Sequence, residues 1–187
     1  MSDAPTLAGA RLRLRALLPS DRDERLAIGR DPEFVRLNGG DPHRATAFTD
    51  VDADRWYRAF PDALRWAIEH EGRLIGEARL DGINPCVRRA RFAIGIFAPA
   101  ERDRGLGTEA TRLVLAHAFD ALALTRVDLR VLAFNSRAIR CYEKCGFERY
   151  AVARDRAFVD GRWQDDLLMR VTPARFAATV GAGSARS

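Results

Sequence analysis

Hydrophobic and polar positions change rhythm several times along this 187-residue chain, and each change marks an element. Residues 8–17 set Arg11, Arg13 and Arg15 against Leu12 and Leu14, the period-two pattern of a half-buried strand. Ser20 is a candidate N-cap for a helix reaching about Arg30. Asp31-Pro32 opens a further helical turn that ends at Asn38-Gly39-Gly40. Trp56, Tyr57 and Phe60 recur at helical spacing within 50–60, behind a Thr/Asp cap. The period then shortens. Arg65–His70, the turn Glu71-Gly72 and Arg73–Asp81 read as a hairpin, and the apolar stretch 90–98 as a strand stopped by Pro99. A helix from about Leu106 to Leu122, a strand Val127–Leu132 and a short helix Ser136–Cys145 closed by Gly146 follow. A long strand Phe147–Val159, the hairpin dipeptide Asp160-Gly161 and a return strand Trp163–Val171 complete the pattern.

The predicted order is one strand, two helices, three strands, then helix, strand, helix and two final strands. It implies a mixed α/β domain with an antiparallel front half and one βαβ crossover. A chain of this length fits one domain, taken as residues 1–175. The small and polar residues 176–187 are expected to form a flexible C-terminal tail.

Composition narrows the function classes. With 47% hydrophobic and 30% charged residues, the chain has the make-up of an ordinary globular protein. Its first residues lack the apolar region of a secretory signal, and no run approaches a membrane span. A cytoplasmic location without a membrane partner is therefore expected. The net charge of +5 is carried by arginine, since Lys144 is the only lysine. A basic balance favours anionic partners. Because no basic tract forms, nucleic acid is not the expected one; the local concentration of interest is Arg102 and Arg104. Cys86, Cys141 and Cys145 lack zinc-site spacing, and no histidine pair has metal-ligand spacing, so no metal is expected. Cys141 and Cys145 share a helix face and read as small buried hydrophobes. His117, beside Leu113 and Val114, reads as a half-buried structural histidine.

Two segments carry chemistry. In Arg102-Asp103-Arg104-Gly105-Leu106-Gly107-Thr108, two glycines let the backbone turn sharply and approach a bulky ligand. The following helix offers unpaired N–H groups and a positive dipole end, which together suit a pyrophosphate. There is no Gly-Lys-Ser/Thr, which excludes a P-loop, and the position in a meander argues against a dinucleotide fingerprint. In the second segment, Asn135 to Phe147, Asn135 and Tyr142 are seven apart and fall on one helix side. An amide and a phenol so placed can meet a ligand, or can serve only as a cap and as core packing.

Taken together, Arg102-x-x-Gly105-x-Gly107 and, about thirty residues on, Asn135…Ala138…Tyr142-Glu143-Lys144-x-Gly146-Phe147 resemble the GNAT acetyltransferase family. Arg30-Asp31-Pro32-Glu33-Phe34-Val35-Arg36 with Gly39-Gly40, Leu74-Ile75-Gly76, and Val159-Asp160-Gly161-Arg162-Trp163…Asp166 are similar to its RimJ/RimL-like branch. The resemblance runs from about residue 8 to 172. It implies a GNAT fold whose mixed, mostly antiparallel sheet splays between its fourth and fifth strands, residues 90–98 and 127–132. It implies acetyl-CoA as donor, its pyrophosphate held at Arg102, Asp103, Arg104, Gly105, Leu106, Gly107 and Thr108. Phe97 and Ala98 would line the pantetheine arm, with Asn135 and Arg140 also contacting the cofactor. Tyr142 would be the general acid. Many relatives carry a Glu near the start of the fourth strand, where this chain has Arg91-Phe92-Ala93; Glu77 and Asp81, on one face of the third strand, are the substitute bases. The acceptor would be a small-molecule amine or a peptide N-terminus, and the last hairpin offers an edge for a homodimer. A non-catalytic acyl-CoA sensor is the alternative.

Overall fold

The structure, a computed structural model, describes residues 4–44 and 47–184. Its strands are β1 (Leu7–Ala8), β2 (Leu12–Arg15), β3 (Leu64–His70), β4 (Arg73–Asn84), β5 (Arg89–Ile96), β6 (Arg126–Leu132), β7 (Glu148–Val159) and β8 (Arg162–Val171). Helices α1 (Pro19–Ile28), α2 (Pro32–Leu37) and α3 (Asp50–Arg58) lie between β2 and β3. Helix α4 (Leu106–Ala116) joins β5 to β6, α5 (Ser136–Lys144) joins β6 to β7, and α6 (Pro173–Ser184) follows β8. No helix among the described residues is long and apolar enough to cross a membrane.

The strands form one sheet in the order β1-β2-β3-β4-β5-β6-β8-β7. Among the described residues only β5 and β6 pair in parallel, and the crossover between these two neighbours runs through α4. Leu14, Trp66, Ile68 and Leu80 from the sheet and Val114 and Leu115 from α4 are fully buried in one core. Each such side chain contributes roughly 1.5–3 kcal/mol, which fixes α4 against the sheet.

The parallel join is short. It comprises the pairs Arg89↔Arg126, Ala90↔Val127 and Arg91↔Asp128, and then the strands part. Each keeps its outer partner instead. Ile96 of β5 stays opposite Gly76 of β4, while Leu132 of β6 stays opposite Asp166 of β8. The result is a splayed, mostly antiparallel sheet of the kind the sequence resemblance implies. The diverging strands are the fifth and sixth rather than the fourth and fifth, because Leu7–Ala8 forms a separate short strand.

Three local expectations are corrected. Ser20 does not cap α1. Pro19 opens that helix, and the buried Asp21 in its first turn accepts from the Leu18 N–H at 2.6 Å while binding Arg15 through both oxygens. Helix α4 ends at Ala116 and gives way to a π-helical turn, His117–Ala121. Residues 176–184 are not a loose tail but part of α6, anchored by Phe176 against Phe119 with ring centroids 5.7 Å apart.

The wall of the splay depends on a close strand approach. A Cβ at Gly76 would sit 2.3 Å from the Gly95 carbonyl oxygen, a backbone atom that cannot swing aside. Gly76→Ala is expected to destabilise the protein by about 2–3 kcal/mol, as overpacking does, and calorimetric melting would register this as a drop in Tm of several degrees.

Candidate active site

The divergence of β5 and β6 opens a cleft of about 1030 Å³ that passes between the two faces of the sheet. Phe92–Ile96 form one wall and Leu129–Leu132 the other. The loop before α4 and the exposed side of α5 close one end. Helix α2, Phe60 and the bulged part of β7 close the other.

At the first end, Asp103 and Gly105 both adopt positive φ, 59° and 79°. Alternating left-handed residues turn successive amides to one side and make a nest for anions. The N–H groups of Asp103, Arg104, Gly105, Leu106 and Gly107 find no acceptor among the described residues, whereas those of Thr108 and Glu109 already bond the Gly105 carbonyl. Five consecutive unpaired donors at the tip of α4 fit a diphosphate. A Cβ at Gly107 would rest 4.0 Å from Cys141 Sγ and Ile96 Cγ1, both on the cleft wall, so an added methyl fits without strain and projects toward the cleft. The loop is braced from behind by a residue that sequence reasoning missed. Arg11 bonds the Arg104 carbonyl at 2.7 Å and Glu109 at 2.8 Å, and its guanidinium lies under Gly105. Burial alone would raise the Glu109 carboxyl, but these bonds to Arg11 hold it below its usual range.

Several expected cofactor contacts have other duties. The Arg102 guanidinium turns away from the phosphate nest. It is nearly buried, donates to the carbonyls of Ile96 and Phe97 at 3.1 Å, and pairs with Asp31 and, at 3.2 Å, with Glu33. Burial works against ionisation of Asp31, yet the Arg102 guanidinium and the Phe34 N–H hold its carboxyl low. Arg102 thereby ties the cap of α2 to the end of β5. Arg104 leans on Glu101 at 2.5 Å, and its side chain, like that of the buried Leu106, does not line the cleft. Phe97 and Ala98 also stand outside it, with both amides donating to the Ile75 carbonyl. Asn135 does line the cleft, but its oxygen caps α5 on the Ala138 N–H at 3.1 Å and its amide nitrogen reaches Leu37 O at 3.4 Å. Arg140 projects from α5 at the cleft margin.

Tyr142 sits on the cleft wall inside an aromatic group, its ring 6.4 Å from Phe92 and 5.7 Å from Phe147. It is 7% exposed, and no hydrogen bond holds its hydroxyl among the described residues. Burial, reinforced by the neighbouring Cys141 and Cys145, pushes the phenol pKa well above that of free tyrosine. Tyr142 is thus a neutral phenol at physiological pH, able to give a proton. Cys141 shares the wall and accepts from Thr108 Oγ1 at 3.3 Å. A hydrogen bond from Cys145 draws its thiol below the ordinary value, against the effect of burial. Among the described residues no His, Cys, Asp and Glu group could hold a metal.

The two substitute bases fare differently. Glu77 is buried away from the cleft and locked to Arg65 at 2.7 Å, so it is not placed to receive a proton from an acceptor. Asp81 does line the cleft, but Arg91 at 2.7 Å and Arg79 at 3.2 Å occupy both of its oxygens. A third carboxylate, Asp128, stands where the strands part; it belongs to the alternation Arg126, Asp128, Arg130, the one signal that could have exposed it.

The sequence profile of the acetyltransferase (GNAT) domain matches residues 11–148, from the arginine that braces the nest to just beyond the aromatic group around Tyr142. The chain belongs to the GNAT acetyltransferase family. Among GNAT relatives, it is 34% identical over 102 residues to a Bacillus subtilis protein named "Probable N-acetyltransferase YjcK", covering 54% of this chain and 56% of that one. It is 31% identical to the spermidine N(1)-acetyltransferase of Escherichia coli, over 61% of each chain. The matched stretches thus span about three fifths of these relatives. A crystal structure of the Vibrio cholerae spermidine N-acetyltransferase, in complex with CoA and spermine, superimposes with a TM-score of 0.75 at 25% identity, covering 90% of this chain and 99% of that one.

The unstrained place for a methyl at Gly107 separates ligand binding from folding. Gly107→Ala is expected to weaken coenzyme A binding at least tenfold in isothermal calorimetry, because the added methyl narrows the cleft beside the anion nest, while Tm stays the same or rises slightly.

Proposed function

We propose that this protein transfers the acetyl group of acetyl-CoA to a primary amine, by direct attack in a complex that holds both substrates at once. One observation carries the reading. Asp103, Gly105 and Gly107, from the run of five unpaired amides, line the same cleft as the neutral Tyr142 phenol, and that cleft follows the gap between the parted strands. Donor and acceptor can thus meet from opposite sides without either leaving.

Bound acetyl-CoA would supply an activated thioester. The nest holds its diphosphate through backbone N–H groups, aided by the field of α4. The open edge of β5 from Phe92 to Ile96 offers backbone to an extended arm in place of the missing strand. Tyr142 Oη carries the proton that the departing thiolate needs, and its buried setting keeps that proton in place until charge develops nearby. A sensor would have no use for such a donor, which favours turnover.

On the acceptor side, the relatives named for spermidine support a small amine, while the similarity of the front segments to RimJ/RimL-like sequences supports a peptide N-terminus. The lining there mixes Arg79, Arg91, Arg130 and Arg156 with Asp81, Asp128 and Asp166, and this balanced charge favours an acceptor that is not a bare polycation.

Free-thiol release from acetyl-CoA, measured across a panel of amines and N-terminal peptides, tests the reading; absence of release with every member sinks it. Tyr142→Phe is expected to lower turnover about 100-fold while leaving coenzyme A affinity intact. Because the raised phenol pKa keeps the proton on Tyr142 as pH climbs through 10, wild-type activity should show no alkaline fall near the pKa of free tyrosine.

A further inference from the structure

The acceptor amine must lose a proton before it can attack, and neither Glu77 nor Asp81 is free to take it. We infer that Asp128 is the general base, receiving that proton at the point where β5 and β6 part. The inference rests on the acetyl-transfer reading above and adds the missing half of its chemistry.

Asp128 is paired with Arg91 in the last rung of the parallel ladder, so it stands at the apex of the cleft, and it lines the cleft wall. Its row across the sheet alternates in sign. Asp81 of β4, Arg91 of β5, Asp128 of β6, Arg170 of β8 and Glu148 of β7 are successive register partners. Both arginines beside Asp128 are turned elsewhere. Arg91 binds Asp81 at 2.7 Å, and Arg170 binds Glu148 at 3.3 Å. On its own strand Arg126 holds one Asp128 oxygen, Oδ2, at 2.8 Å, while Arg130 lies 3.9 Å from Asp166. The other oxygen, Oδ1, is shut off from water and has no hydrogen-bond donor among the described residues.

A carboxyl oxygen so placed lacks partners it would have in water, a deficit that a well-packed sheet ordinarily removes. Here it persists just beneath the cleft wall, where an ammonium group that displaces the covering side chains would supply the missing donor. Arg126 fixes the carboxylate from behind, as orienting partners do in acid–base pairs. The two sides of the sheet then divide the labour. Phe92 and Leu129, next to the apex pair, face Tyr142 and the core, whereas Arg91 and Asp128 face the other way, toward the acceptor.

The proton count closes. The ammonium gives one proton to Asp128 Oδ1, and the freed nitrogen lone pair forms the C–N bond as the C–S bond breaks. Tyr142 Oη protonates the leaving sulfur and regains a proton from the nitrogen of the new amide. Asp128 releases its proton to solvent, so each cycle yields acetamide, free thiol and one proton.

The test uses the whole chain, an amine found active in the thiol-release panel, and acetyl-CoA binding by calorimetry. Asp128→Asn is expected to lower kcat/KM for the amine at pH 7 by about 100-fold or more, with acetyl-CoA affinity within twofold of wild type. Its rate should keep rising with pH up to the amine's own pKa, since only amine already neutral in solution can react, whereas the wild-type profile levels off earlier. A second variant guards against loss of folding in the first. Arg126→Ala removes the partner that orients the carboxylate, and should lower kcat for the amine about tenfold or more while leaving acetyl-CoA affinity within twofold of wild type, with Arg126→Lys restoring most of the loss. Asp128→Asn activity within threefold of wild type, or an Arg126→Ala kcat within threefold of wild type, overturns the assignment while leaving acetyl transfer intact. A wild-type chain that releases no thiol and binds no acetyl-CoA overturns both.

Discussion

Everything in this molecule turns on a hydrogen-bond ladder that stops. Two parallel strands joined along their length would bury their backbone groups in each other and leave no route through the sheet. Here the join lasts three rungs and then yields, because β5 remains bound to β4 and β6 to β8. The freed edges face a cleft instead of each other. Unpaired backbone is costly inside a protein and useful beside a ligand, so the same break that weakens the sheet prepares a binding surface.

The surroundings keep that break in a fixed shape. Gly76 lets β4 press against the Gly95 backbone and holds one wall. The aromatic contacts among Phe92, Tyr142 and Phe147 tie α5 to the same wall. Arg11 splints the anion nest through Glu109 and the Arg104 carbonyl. None of these groups needs to touch a substrate; together they hold in place the groups that do. Much of the charge in this arginine-rich chain is used in this way, as internal bracing between neighbouring elements rather than as a field offered to solvent.

Features set by short spacings were legible in the sequence. The hairpin turns, the glycine pair ahead of a helix, and Asn135 and Tyr142 on one helix side all depend on neighbours within a few residues. What escaped depends on partners far along the chain. Arg102 looks like a phosphate ligand until Asp31, 71 residues away, claims it. Glu77 looks like a free strand carboxylate until Arg65 of the adjacent strand is set beside it. Asp128 looks like one charge in an alternating strand, and only the register with Arg91 and Arg170 puts it at the apex. The last helix was missed for a related reason. Its residues are small and weakly patterned, and Phe176 finds its footing on Phe119 rather than within the segment.

The clamp made by Arg102 has a consequence for how the two halves of the cleft communicate. Its guanidinium grips the end of β5, just ahead of the anion nest, and at the same time the cap of α2, which borders the acceptor entrance. Were the nest to settle around one substrate, the clamp would carry that shift to the doorway used by the other. Thermodynamic reciprocity makes such a shift mutual: whatever factor the first partner lends to the second, the second returns. A single side chain thus gives two chemically unrelated molecules a reason to be present together.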